Sequence, residues 1–180
     1  MRHIVRSIVA LVIAVSPAMG QADWQEYVYP EDRFAIQFPA EPSLRTASYE
    51  TLVASGVEAR IYSVEFENIL FEATVVEFDG LSEEGANFAI EAAYVIQHLP
   101  DVELIASDFP RIGFSRNAPI IFGLTTVADT NDGRRIRSTS YVTNGRFYKI
   151  DAIVLPARGD KDQAVPSRFD QTLRFNIEGP

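Results

Sequence analysis

The chain of 180 residues contains no cysteine, two histidines and a single tryptophan. The missing cysteine excludes a disulfide scaffold, a thiol nucleophile and thiolate metal sites, and with them the lipid-carrying cysteine that a bacterial lipoprotein needs just after its leader. His3 lies in the first few residues, so a Ser-His-Asp triad would have to be built on His98 alone. No serine sits in a Gly-x-Ser-x-Gly elbow, and neither a glycine-rich phosphate loop nor a dinucleotide fingerprint occurs. The expectation is therefore no catalytic residue, no cofactor and no metal site.

Positive charge is also scarce. The 16 basic side chains face 25 acidic ones, a net charge of -9. Nucleic acid and anionic lipid both draw on a basic surface, so neither is an expected partner.

Long apolar runs are confined to the N-terminus. Arg2, His3 and Arg6 precede Ile8–Val15 (IVALVIAV), and the small-residue stretch Ser16-Pro17-Ala18-Met19-Gly20 follows. That layout is a secretory signal peptide, read as residues 1–22 with cleavage after Gly20 or Ala22. Its apolar run is about half of the roughly 20 residues that cross a bilayer, so no integral membrane segment is expected in the mature chain. Loss of residues 1–22 removes two arginines and no acid, taking the 16 basic side chains to 14 against 25 acidic ones, or -11. A periplasmic or secreted location follows as the expectation.

The remainder reads as one domain, 23–180, of α+β class. Trp24 to Tyr29 and Phe34 to Phe38 are strand signals around Pro30-Glu31-Asp32, with Phe34, Ile36 and Phe38 on one face. Residues after Pro42 read as irregular and polar. Ala59 to Phe66 and Leu70 to Phe78 form an expected hairpin across Glu67-Asn68. Ser82 to Leu99 has helix character: Ser82 as cap, Glu83 and Glu84 in the first turn, and a buried stripe of Ala89, Ala92, Ala93, Ile96 and Leu99. Gly85 weakens that first turn relative to alanine. His98 in the last turn complements the helix dipole.

Pro119 to Ala128 and Arg135 to Thr143 flank the turn Asp129-Thr130-Asn131-Asp132-Gly133, whose carboxylate spacing does not fit a calcium loop. Asn144-Gly145 predicts a two-residue hairpin that pairs Thr143 with Arg146 and Tyr141 with Tyr148. Tyr141, Tyr148, Ile150, Ala152 and Val154 then share the core face. After a loop at 156–166, a short amphipathic segment offers Phe169, Leu173 and Phe175.

Trp24-x-x-Tyr27, the run Phe34 to Pro42, the late hairpin with Arg146-Phe147-Tyr148, and the closing Phe169-x-x-x-Leu173-x-Phe175 together resemble small secreted bacterial domains of the PsbP-like superfamily, named for an extrinsic subunit of photosystem II. The resemblance implies an α/β/α sandwich around a central antiparallel sheet. It also implies an accessory or binding role without family-wide chemistry.

Arg134, Arg135, Arg137, Arg146 and Lys149 form the one basic concentration in the acidic chain. Arg135 and Arg137 project to one side by strand alternation, so Arg135, Arg137 and Arg146 are the candidate clamp for a small anionic ligand, with internal ion pairs or a solvated edge as the simpler reading. Glu65, Glu67, Glu72 and Glu77 could gather carboxylates for acid/base work, but solvated strand faces are the default reading. Trp24, Tyr27, Tyr29 and Tyr62 read as core, with a lined groove as the alternative. The functional expectation is a non-catalytic periplasmic accessory or binding protein, for an unknown protein partner or small anion. The alternatives are a structural subunit of a cell-envelope complex and a carboxylate-dependent hydrolase.

Overall fold

The computed structural model describes residues 23–50, 56–78, 82–98, 101–113, 120–155 and 163–175. The expected leader (1–22), most of the loop 156–166, Leu99, Pro119 and the side chains of Ser82, Glu83, Glu84 and His98 lie outside the described residues. Among those that are described, no helix is long and apolar enough to cross a membrane.

Most of the chain is antiparallel sheet. β1 (Gln25–Tyr29), β2 (Phe34–Phe38) and the short β11 (Arg174–Phe175) form a small sheet ordered β1-β2-β11. The large sheet runs β3 (Ser43–Tyr49), β4 (Val57–Phe66), β5 (Ile69–Glu77), β10 (Arg146–Val154), β9 (Arg135–Thr143), β8 (Ile121–Thr130), β6 (Val102–Asp108). β7 (Arg111–Ile112) pairs with β8 beyond the end of β6.

Two-residue turns set the register of its centre. Asn144 and Gly145 have φ of 54° and 70°, the left-handed pair that a type I′ hairpin requires. Arg146 consequently faces Thr143, and Tyr148 faces Tyr141. Glu67 and Asn68 do the same between β4 and β5 at φ 47° and 71°, and the Asn68 side chain is held by Leu155 O at 2.7 Å.

Alternation then sorts the side chains into two cores. One face of the large sheet carries Tyr62, Phe71, Ala73, Val75, Tyr141, Tyr148, Ile150 and Ala152. These pack with Phe34, Ile36 and Phe38 of β2 and with Phe169 and Leu173 of the C-terminal segment. The opposite face carries Ala59, Ile61, Val76 and Phe147 against Phe88 and Ala92 of α1 (Ser82–His98). One face is thus covered by α1. The other is covered by the small sheet together with α2 (Ala164–Gln171), so that layer is strand as well as helix.

Gly85 has a role that its weak helix propensity hides. An added Cβ would lie 2.8 Å from Cγ1 of Val142, so the bare backbone is what lets α1 settle on β9. The polar residues after Pro42 form β3 rather than an irregular stretch: an edge strand is mostly exposed, and its hydrophobic alternation is correspondingly faint. Pro166 lies inside α2 and not in the preceding loop, in the first turn, where its missing N–H is not needed.

Candidate functional site

β9 places Arg135, Arg137, Thr139 and Tyr141 on the face toward α2, and each arginine there has a carboxylate. Asp129 stands directly across on β8 and takes Arg135 bidentately, at 2.6 Å from Nε to Oδ1 and 2.8 Å from Nη2 to Oδ2. Arg137 reaches α2, where its Nε donates to Asp170 Oδ2 at 2.7 Å. Thr139 donates to the same oxygen at 2.7 Å, and its Oγ1 is 2.9 Å from Thr125 Oγ1. Asp170 is buried, and its Oδ1 has no partner among the described residues.

Gly123 on β8 leaves room for the Tyr141 ring, since a Cβ there would fall 2.5 Å from its Cε1. Burial, followed by the nearby Asp170 charge, raises the Tyr141 phenol pKa above its usual value.

Arg146 lies on the same side of the sheet as Arg135 and Arg137, but opposite Thr143. Six residues along β9 separate that position from Arg137, roughly 20 Å at strand rise. The three candidate arginines therefore do not converge. Arg146 donates through Nη2 to Glu77 Oε1 at 2.6 Å, and its buried Nε has no described partner.

Beside Arg146 is a hub that sequence reasoning missed. Asp32, fully buried in the β1–β2 turn, accepts from Arg60 Nε at 2.7 Å, and its Oδ2 accepts from the Tyr62 hydroxyl at 2.5 Å. Tyr148 donates to the Asp32 backbone oxygen at 2.8 Å. The only local hint is an acid in a tight turn between two aromatic strands. Its partners lie 28, 30 and 116 positions away.

The four acids considered for acid/base work are dispersed. Glu65 pairs across to Leu70 on the α1 face, Glu67 occupies a turn, and Glu72 and Glu77 point to opposite faces of β5. Glu72 does stand opposite a second carboxylate, Asp151. Each of these two already holds a cation: Arg45 to Glu72 at 3.1 Å and Lys149 to Asp151 at 2.7 Å, with Ser138 donating to Asp151 at 2.5 Å. Burial alone would lower the Lys149 pKa. The charges of Asp151 and Tyr49 and the hydrogen bond to Asp151 outweigh it and raise it, so the amine stays an ammonium, unfit to act as a base.

The aromatics considered for a groove pack as core. Trp24 meets Phe71 edge-on at 5.5 Å with Arg168 4.7 Å above its ring, and Tyr29 lies 3.9 Å from Tyr62. In the Asp129–Gly133 turn the Asp132 carboxyl is pulled down to about 2, chiefly by the Arg134 and Thr130 side chains.

Several large exposed apolar side chains lie toward the β6–β8 end of the sheet, with Val28, Leu44 and Val165 exposed singly on β1, β3 and α2. Leu104 and Ile105 on β6, Phe109 after it, and Ile120 and Phe122 at the start of β8 are exposed, Phe109 and Phe122 by 73% and 67%. Ile90 and Tyr94, one turn apart, lie exposed on α1 while Glu91 between them is buried. The usual polarity of a surface helix is inverted there. The segment after Pro100 carries these apolar residues among Asp101, Glu103 and Asp108, a mixture that reads as neither strand nor helix.

Neither protein-family profiles nor curated proteins give a match to the chain. Among solved structures, the architecture is that of the PsbP-like fold. The solution structure of cyanobacterial PsbP (CyanoP) from Synechocystis superposes with a TM-score of 0.51 at 14% identity, covering 89% of this chain and 96% of that one.

Proposed function

We propose that the protein is a non-catalytic, extracytoplasmic accessory module that works by docking a protein partner, on a PsbP-like α/β/α scaffold whose second outer layer combines α2 with the small sheet. One observation carries the reading. The inward-facing charged groups are engaged with one another, as in Arg137–Asp170, Arg60–Asp32 and Lys149–Asp151, while large apolar side chains remain exposed at the β6–β8 end of the sheet. A site that performs chemistry needs groups free to exchange protons or hold substrate, whereas a docking face needs uncovered apolar area. Export rests on the leader-like residues 1–22, and the likeness to CyanoP supports the accessory role through fold alone.

Arg135, Arg137 and Arg146 enter this reading as secondary anion contacts. In Arg146, Glu77 engages Nη2 of the guanidinium while Nε is buried without a described partner. A structural subunit of an envelope complex differs from the first reading only in stoichiometry, and the same surface serves both.

The test uses the full chain as bait against periplasmic extract, beside a Phe109→Ser/Phe122→Ser double variant. A partner retained by the former and lost by the latter supports docking. Turnover of an ester, phosphoester or glycoside that disappears in Asp151→Asn would replace this reading with the carboxylate-dependent hydrolase.

A further inference from the structure

β6 closes one end of the large sheet, and no described residue pairs along its outer side. A free strand edge offers a row of backbone donors and acceptors to an added strand. The register shows what such a strand would meet. Glu103 stands beside Asp129 and Asp108 beside Thr125, on the face that Arg135 and Arg137 share. Val102 stands beside Thr130 and Leu104 beside Ala128, on the α1 face. The register shifts between Leu104 and Ala106, leaving Ile105 unpaired and 47% exposed. One side of this edge carries Glu103, Ala106 and Asp108, and the other Val102, Leu104 and Ser107, so its acids lie on one side and its larger paired apolar residues on the other.

The opposite edge, β3, differs: Arg45 there is bound to Glu72, and the Ser43 hydroxyl is turned back to Ser63 O. On β6, Glu103 has no side-chain partner among the described residues, and Asp108 accepts only from the N–H of the adjacent Phe109.

We infer that β6 is a strand-addition site for an extended polypeptide segment whose side chains alternate between basic and apolar residues. Successive side chains of a strand point to opposite faces, so the basic ones meet Glu103 and Asp108 while the apolar ones extend the Leu104 row beside α1. Phe109, just past the end of the strand, gives the segment a terminal apolar contact. Backbone pairing supplies affinity, and the two-faced edge supplies selectivity. The inference rests on the docking reading above and specifies its partner.

The test titrates the full chain with a short peptide alternating lysine and valine, followed by fluorescence anisotropy and amide hydrogen exchange. Saturable, salt-weakened binding is expected, with protection gained by the amides of 102–108. Reversing two attractive cross-strand contacts in Glu103→Lys/Asp108→Lys should weaken binding by roughly tenfold or more. A glutamate–valine peptide should not bind, nor should the lysine–valine peptide N-methylated at alternate residues, which has lost donors on one edge.

Failure of the lysine–valine peptide to bind, equal binding of the N-methylated form, or protection appearing away from β6 would overturn the inference. If Phe109- and Phe122-dependent capture of a partner persists in that event, edge pairing falls and the docking reading stands. If capture is absent too, both fall.

Discussion

Replacing Asp32 by alanine perturbs a buried acid that joins the small sheet to the large one. The substitution removes the acceptor for Arg60 and for the Tyr62 hydroxyl, and leaves the Tyr148 bond to the backbone oxygen in place. Breaking a buried ion pair from one side costs about 3–5 kcal/mol. Arg60 softens that figure, since its side chain is 28% exposed and Glu77 lies 3.7 Å away as a second partner. Tyr62 does not soften it, because a buried hydroxyl without a partner costs about 1–3 kcal/mol. The balance is about 3 kcal/mol, or a fall in Tm of roughly 6–12 °C for a domain of this size. Asp32→Asn keeps two polar atoms in place and should lose about half as much. Urea unfolding at constant m measures both. In a double-mutant cycle, Asp32→Ala and Tyr62→Phe should couple by about 1 kcal/mol or more. A loss below about 1 kcal/mol for Asp32→Ala, or strict additivity with Tyr62→Phe, would show that the hub does not hold the two sheets together.

Gly85→Ala should destabilise the domain in thermal melts despite alanine's better helix propensity, and Val142→Ala should restore much of the loss by vacating the clashing position. Gly123→Ala should be worse, since its Cβ would meet both the Tyr141 ring and Ser140 O at 2.9 Å, and Tyr141→Leu should relieve only the first contact. Burial pushes the Tyr148 phenol up to about 12 and raises those of Tyr29, Tyr62 and Tyr141 as well. An unfolded tyrosine titrates near pH 10, so the stability these phenols contribute is complete below about pH 10 and is lost as pH climbs toward their folded values. Tyrosinate absorbance should therefore lag behind that of free tyrosine and then rise together with unfolding; titration of all tyrosines near pH 10 in a folded protein would contradict this. Phe109→Ser and Phe122→Ser should change stability by no more than about 0.5 kcal/mol each, because both rings are already in solvent.

How much of this was legible in the sequence depends on the range over which each feature is encoded. Asn144-Gly145 determines the pairing of β9 with β10 locally, and the Tyr141–Tyr148 face could be read from it residue by residue. The helix was visible from its alanine spacing, but Phe88 and Glu91, which also face the sheet, depend on how the helix is rotated against its neighbours. β6 was unreadable because a bulge at Ile105 breaks its alternation and an edge strand buries little. The arginine cluster was correctly seen as a concentration of charge. Internal ion pairing was the simpler reading, and Asp129 lies close in sequence to Arg135; the other partners, Asp170 and Glu77, were not visible because they stand 33 and 69 positions away. Side alternation placed Arg135, Arg137 and Arg146 on one face, and strand rise then spread them along it.

The small sheet is completed by the last described residues of the chain. Arg174 and Phe175 pair with Ala35 and Phe34, the Gln37 amide is held by Thr172 at 3.0 Å, and the Arg174 guanidinium reaches Glu26. A nascent chain halted before α2 therefore lacks Phe169 and Leu173 and exposes the inner side of β2, however long it waits. Closure of the small sheet and of the core beneath it waits until this segment has been made.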